Sequence, residues 1–145
     1  MNTGEIVELL GRTTMFASMK PAELEKLATF ANERSFKKGS LIFYQGDPGD
    51  AFYVVASGSV KVFLASKQAE EMVLVTLRPP DVLGEVAVLD GGPRSASAEA
   101  LEPSMLLAFA RSMVLQLMSE EPAIAEGLLR SVGNVVRRLD SFIRR

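Results

Sequence analysis

The chain has 145 residues, 48% of them hydrophobic and 23% charged, which is enough to bury the core of one domain. Sixteen Lys and Arg against 18 Asp and Glu leave a net charge of −2, so nothing draws the chain generally toward nucleic acid. With no cysteine and no histidine, disulfides, thiol nucleophiles, iron–sulfur clusters and Cys–zinc sites are excluded, and the commonest general base and metal ligand is missing. No run approaches the ~20 apolar residues of a spanning helix. The start, Met1-Asn-Thr-Gly-Glu5, lacks the basic and apolar regions of a signal peptide, so the expected compartment is the cytoplasm, with no membrane partner.

Glu5 to Leu10 reads as a short helix with Ile6, Leu9 and Leu10 on one face and Gly11 as its stop. Pro21 suits the first position of a second helix, Glu23 its first turn, and Leu24, Leu27, Ala28 and Ala31 follow at helical spacing. From Phe36 the period changes to two. Leu41–Tyr44, Ala51–Ala56, Val60–Leu64, Met72–Leu77, Arg94–Ala100 and Ser104–Phe109 read as strands, separated by Gly, Pro and Asp turns. Short strands at this spacing indicate an antiparallel barrel or jelly roll. Gly39, Gly46 and Gly58 have structural roles in these turns.

The end is helical. Arg111 to Glu120 forms one helix, Pro122 breaks it, and Ala123 to Arg145 forms a longer one. Leu128, Val132, Val135, Leu139 and Phe142 step by four and three as a coiled-coil seam does, and Leu129, Val136 and Ile143 make a second row. One row can face the barrel and the other a partner helix; alternatively the whole stripe packs on its own domain. Arg137, Arg138, Arg144 and Arg145 suit a helix C-terminus better than a DNA contact.

Between strands and helices lies the stretch that carries chemistry, Leu83-Gly-Glu-Val-Ala-Val-Leu-Asp-Gly-Gly-Pro-Arg-Ser-Ala-Ser-Ala98. Gly84 permits a close backbone approach, and Glu85–Leu89 is long enough for one helical turn, whose free N–H groups favour an anion. Arg94 offers a planar, permanently charged fork to a phosphate, and Ser95 adds a hydroxyl. Glu85 would repel that phosphate, so it must face another part of the ligand, and a ribose hydroxyl is the natural partner. The set therefore suits a nucleotide with one phosphate. The bland alternative is a strand arginine paired with Glu85. Strict alternation would place Arg94 and Ser95 on opposite faces, so the strand must start irregularly for both to reach one phosphate. Val73 and Val86 are candidate apolar walls for a base, or plain core.

Gly84-Glu85-Val86-Ala87 followed by Pro93-Arg94-Ser95-Ala96 resembles the phosphate-binding cassette of cyclic nucleotide-binding domains. The resemblance spans roughly Met15 to Arg145. It implies a mainly β fold with flanking helices: an antiparallel double-stranded β-helix (jelly roll) with N-terminal helices, a short phosphate-binding helix and two C-terminal helices. It implies one domain in three parts, a helical segment at 1–34, the β-roll at 35–110 and hinge or dimerisation helices at 111–145. Carried over by motif, Glu85 takes the ribose 2′-hydroxyl, helped by the Gly84 amide. Arg94, Ser95 and the Ala96 amide hold the cyclic phosphate. Ser95 where other members have Thr favours cyclic AMP over cyclic GMP. A polar residue of the last helix touches the base in some members, and Ser131, Asn134, Asp140 and Ser141 are offered here. The partners implied are the cyclic nucleotide and a second copy through the C-terminal helix, with no direct nucleic-acid contact, no cofactor and no catalysis.

The family's transcription regulators continue into a helix-turn-helix, which is not among these residues. The expected function is a sensor whose nucleotide moves the last helix, as a stand-alone protein or as the N-terminal part of a Crp/Fnr-type regulator. Its rival is a degenerate domain kept for dimerisation or protein contact. A cupin-type enzyme would need the missing histidines.

Overall fold

A computed structural model describes residues 1–143, with side chains described for 1–133 and Arg137. Two helices open the chain, α1 at Thr3–Arg12 and α2 at Pro21–Ala28. α1 starts ahead of Glu5 because Asn2 and Glu5 cap each other. The Glu5 N–H donates to Asn2 Oδ1 at 2.8 Å, and the Asn2 N–H donates to Glu5 Oε1 at 3.1 Å. Gly11 lies inside this helix and does not stop it. Thr13 does, donating its hydroxyl to the Leu10 carbonyl at 2.7 Å and accepting the Phe16 N–H at 3.0 Å. Pro21 occupies the expected first position of α2, and Ala31 lies beyond its end.

The strands are β1 Asn32–Phe36, β2 Leu41–Phe43, β3 Ala51–Ser57, β4 Val60–Ala65, β5 Glu71–Leu77, β6 Val82–Leu83, β7 Ser97–Ala100 and β8 Ser104–Ala110. A short helix, α3 at Glu85–Asp90, separates β6 from β7, and α4 at Arg111–Glu120 and α5 at Pro122–Ile143 follow β8. Two antiparallel four-stranded sheets result, in the orders β1-β8-β3-β6 and β2-β7-β4-β5, giving the β-roll with flanking helices that the sequence implied.

Three strand expectations need correction. β1 is a strand where none was expected, starting at Asn32, because four of its five residues are exposed and show no apolar alternation. Pairing with β8, from Asn32 opposite Ala108 to Phe36 opposite Ser104, makes it one. β6 was also missed; two residues beside a turn are too few for a period, and pairing with Tyr53 and Val54 defines it. β7 begins at Ser97 rather than Arg94.

The first sheet works on both faces. Phe52, Val54, Leu107 and Phe109 face the helices and join Leu10, Phe16, Leu27, Leu117, Ile124 and Leu128 in one buried cluster. Within it the Phe52 and Phe109 rings stack at 4.8 Å. Tyr53, Val55, Leu106 and Ala108 alternate to the other face and meet Val60, Ala98 and Leu83 between the sheets.

α5 is seated on the N-terminal segment. A Cβ at Gly127 would fall 2.2 Å from the Met15 carbonyl oxygen, so only glycine lets the helix approach that far. One turn on, Arg130 Nη1 donates to Ser18 Oγ at 2.8 Å. Leu128 is fully buried, whereas its neighbour Leu129 is 67% exposed, so the two apolar rows diverge here. Val132, next along the first row, is half-buried; the row positions Val135, Val136, Leu139, Phe142 and Ile143 lie outside the described side chains, as do Arg138, Asn134, Asp140 and Ser141; Arg144 and Arg145 lie outside the described residues. Among the described residues no helix is long and apolar enough to cross a membrane.

Candidate functional site

The site is built where the β6–α3 turn meets the start of β7. Gly84 caps α3 with φ of 82°, a left-handed conformation that other residues adopt with strain. It has a second reason to be glycine. A Cβ there would lie 2.5 Å from Arg94 Nη1 and 3.3 Å from the Ala51 carbonyl oxygen. The turn before β3 also closes on this helix, and a Cβ at Gly49 would collide with the Ala87 Cβ at 2.3 Å.

Arg94 is 3% exposed. Its backbone is clamped before its side chain does anything: its N–H donates to the Asp47 carbonyl at 2.8 Å, and its own carbonyl accepts the Gly46 N–H at 2.9 Å. The guanidinium then spends two groups on main-chain carbonyls, Nη1 to Gly84 at 3.0 Å and Nη2 to Ala51 at 2.5 Å. It lies over the Phe43 ring, 4.2 Å from the centroid, and 3.7 Å from the exposed Asp50 carboxylate. Nε is buried with no hydrogen-bond partner, a donor left unmatched. Burial lowers the Arg94 pKa from its ordinary value, opposed by Tyr53, Asp50, Asp47 and Glu85.

Glu85 is half-buried at the first position of α3 and forms no ion pair with Arg94. Burial pushes its carboxyl above the ordinary carboxylate value, and its own backbone amide and the Arg94 charge offset this only in part. The structural pairing of Arg94 with Glu85 that the sequence left open is therefore not what the fold contains. The two groups sit on adjoining segments and use different partners.

The irregular stretch 94–96 removes the alternation problem, because no strand exists there to enforce opposite faces. Ser95 is exposed and Ala96 is buried at 7%. Neither backbone N–H finds a partner among the described residues, nor does the Ser95 hydroxyl. The buried guanidinium Nε is thus left without an acceptor of the chain's own, and the next two amides in the chain are also unpaired, so the segment has donors to offer a small anion. Val73 and Val86 are 54% and 43% exposed, so neither is the plain core residue it might have been. Phe43, Asp50 and Ala51 went unnoticed in the sequence. They lie more than 40 positions before Arg94 and nothing local marks them; only the turn clamp brings them there. A cavity of about 440 Å³ opens against the residues that hold Arg94, namely Phe43, Asp47, Asp50 and Ala51, and reaches Asn32 and Arg34 of β1; neither Glu85 nor Ser95 lines it.

Comparison with known proteins gives the family. Residues 33–121 match the family model described as cyclic nucleotide-binding domain. The Cyclic AMP receptor protein of Thermus thermophilus is 37% identical over 126 residues, which are 87% of this chain and 58% of that protein. A cAMP-dependent protein kinase regulatory subunit of Aspergillus niger is 37% identical over 91 residues, 63% of this chain and 21% of that one. The crystal structure of Thermus thermophilus Catabolite Activator Protein superposes with a TM-score of 0.84 at 36% identity, covering 90% of this chain and 62% of that one. The chain belongs to the cyclic nucleotide-binding domain family. It spans 58% to 60% of the length of the bacterial receptor-type proteins it matches.

Proposed function

We propose that this chain is a cyclic nucleotide sensor, taking cyclic AMP in preference to cyclic GMP and converting its binding into a shift of α5. The observation that carries this reading is the unmatched Nε of buried Arg94, set beside the partnerless amides of Ser95 and Ala96. A singly charged cyclic phosphate supplies the missing acceptors, and the Ser95 hydroxyl turns onto it from the rim. Glu85 stands apart from Arg94 and accepts from the ribose 2′-hydroxyl, with the Gly84 turn fixing its approach. Val73 and Val86 flank the base. No group in this set performs catalysis; the residues bind, and binding does the work.

The same reading makes the three segments 1–34, 35–110 and 111–145 one cytoplasmic unit. Within it α5 joins two copies through the row that contains exposed Leu129, while Leu128 holds it to the roll. It also makes the chain the sensor part of a Crp/Fnr-type regulator, with any nucleic-acid contact made elsewhere. Ligand energy shifts α5 only by the difference in affinity between its two positions.

The test is calorimetry with cyclic AMP, cyclic GMP and linear AMP on the wild type and on Arg94→Lys. The wild type should bind the cyclic forms, cyclic AMP tightest. Arg94→Lys, which keeps the charge but loses Nε and the fork, should lose about 1.5–3 kcal/mol of binding. No heat with any cyclic nucleotide would leave a degenerate domain kept for dimerisation or protein contact.

A further inference from the structure

α3 is too short to hold itself in place. It has six residues and is bounded by two left-handed glycines, Gly84 with φ of 82° and Gly91 with φ of 69°. A helix this short leaves most of its carbonyls without intrahelical donors. One of them is met from far along the chain: Arg111 Nε donates to the Val88 carbonyl at 2.8 Å. The contact is close-fitted on its other side as well. A Cβ at Gly91 would stand 3.1 Å from Arg111 Nη2, so the guanidinium lies against a position with no side chain.

Arg111 is also the first residue of α4, and its backbone N–H donates to the Asp50 carbonyl at 2.7 Å. The next carbonyl along, that of Ala51, is the one that receives Arg94 Nη2. Arg111 therefore touches three things at once: the C-terminal end of α3, the turn that holds Arg94, and the helix that leads into α5 through buried Val114 and Leu117. It forms no hydrogen bond or ion pair with Glu85, Arg94 or Ser95.

We propose that Arg111 is a positioning residue that ties α3 and the Arg94 turn to α4, so that nucleotide bound at the first two is felt by the helices. This rests on the sensor reading above for its functional part, but the tie itself is made by the chain's own residues. The cation at the helix C-terminus fixes where α3 ends. Any displacement of α3 on binding is passed to α4 because the guanidinium, unlike a backbone contact, bonds one element while belonging to the other.

The test is hydrogen exchange on Arg111→Ala, Arg111→Lys and Gly91→Ala, with and without cyclic AMP, alongside calorimetry. In the nucleotide-free chain, Arg111→Ala should speed exchange at the amides of Leu89, Asp90 and Gly91 by about tenfold, leaving α1 and the β3–β8 pair unchanged. With saturating cyclic AMP, the protection that the wild type gains in α4 should be mostly lost. Affinity should fall by about three- to tenfold. Arg111→Lys should restore part of each, since one donor remains without the fork. Gly91→Ala, which pushes the guanidinium aside while keeping it, should act in the same direction. Exchange at residues 89–91 and affinity both within about twofold of wild type would overturn the proposal, and so would a lower melting temperature with both readouts unmoved. A wild type that binds no cyclic nucleotide sinks the sensor reading instead, and the nucleotide-free exchange then decides the tie alone.

Discussion

The two sheets of the roll are built to different standards of closure. In the first, β3 and β8 are buried along most of their length, because helices cover one face and the second sheet covers the other. In the second, the edge strand β5 exposes Met72, Val73, Leu74 and Val75 by 64%, 54%, 51% and 43%. Four apolar residues in succession are left in contact with water on this edge. The first sheet is thus a finished platform. The second is finished on the side of β7 and open at β5, and the candidate site sits where the two meet, at the β6–α3 turn and the approach to β7. The difference teaches that the packed core and the candidate site occupy separate parts of the fold, which substitutions can test apart.

The largest effect should come from the platform. Phe52 is 1% exposed between Phe16 and Phe109, and Phe52→Ala should cost about 3–5 kcal/mol in chemical denaturation. A loss well under that range would mean that the helix-covered face is less tightly packed than its burial implies.

A smaller effect, of opposite kind, belongs to the site. Because burial raises the Glu85 pKa, the folded chain holds that proton more tightly than the unfolded chain does. Below the unfolded value both states are protonated and nothing is lost. As pH rises through the folded value, the ionised carboxylate costs stability. Binding runs the other way, since a ribose hydroxyl donates best to the ionised form. Cyclic AMP affinity should therefore fall as pH drops through the range just above ordinary carboxylate values. Glu85→Gln should flatten that dependence, lower affinity by about 1–2 kcal/mol at neutral pH, and leave stability equal or higher. An affinity profile unchanged by Glu85→Gln would remove the carboxylate from ligand recognition.

The smallest stability effect should be at the open edge. Leu74→Ser should change the free energy of unfolding by less than about 0.5 kcal/mol. If a nucleotide or a second copy covers β5, the same substitution should weaken nucleotide binding or self-association, read by calorimetry and by sedimentation. A stability loss as large as that of Phe52→Ala would erase the contrast between the sheets.

How much of this was legible beforehand follows the same division. The end of α4 before Pro122 and the turn at Gly84 could be read directly, because proline and glycine chemistry are local signals. β1 could not, because Asn-Glu-Arg-Ser-Phe carries no strand pattern and becomes one only against β8, some 70 residues away. In the site, Gly84, Glu85 and Arg94 stood out as a motif, and their neighbourhood did not. That Arg94 would spend its fork on the carbonyls of Gly84 and Ala51 and rest on Phe43 is a product of long-range closure. The worry over Arg94 and Ser95 facing opposite ways came from taking the strand to start three residues too early.

The double clamp on the Arg94 backbone has a thermodynamic consequence. Because Gly46 and Asp47 grip that residue from both sides through main-chain hydrogen bonds, its conformational entropy is given up when the protein folds rather than when a ligand arrives. Association at such a centre needs little local rearrangement, so it should be quick. Loosening the Gly46–Asp47 grip should then show itself as slower association, because the residue must be ordered on binding.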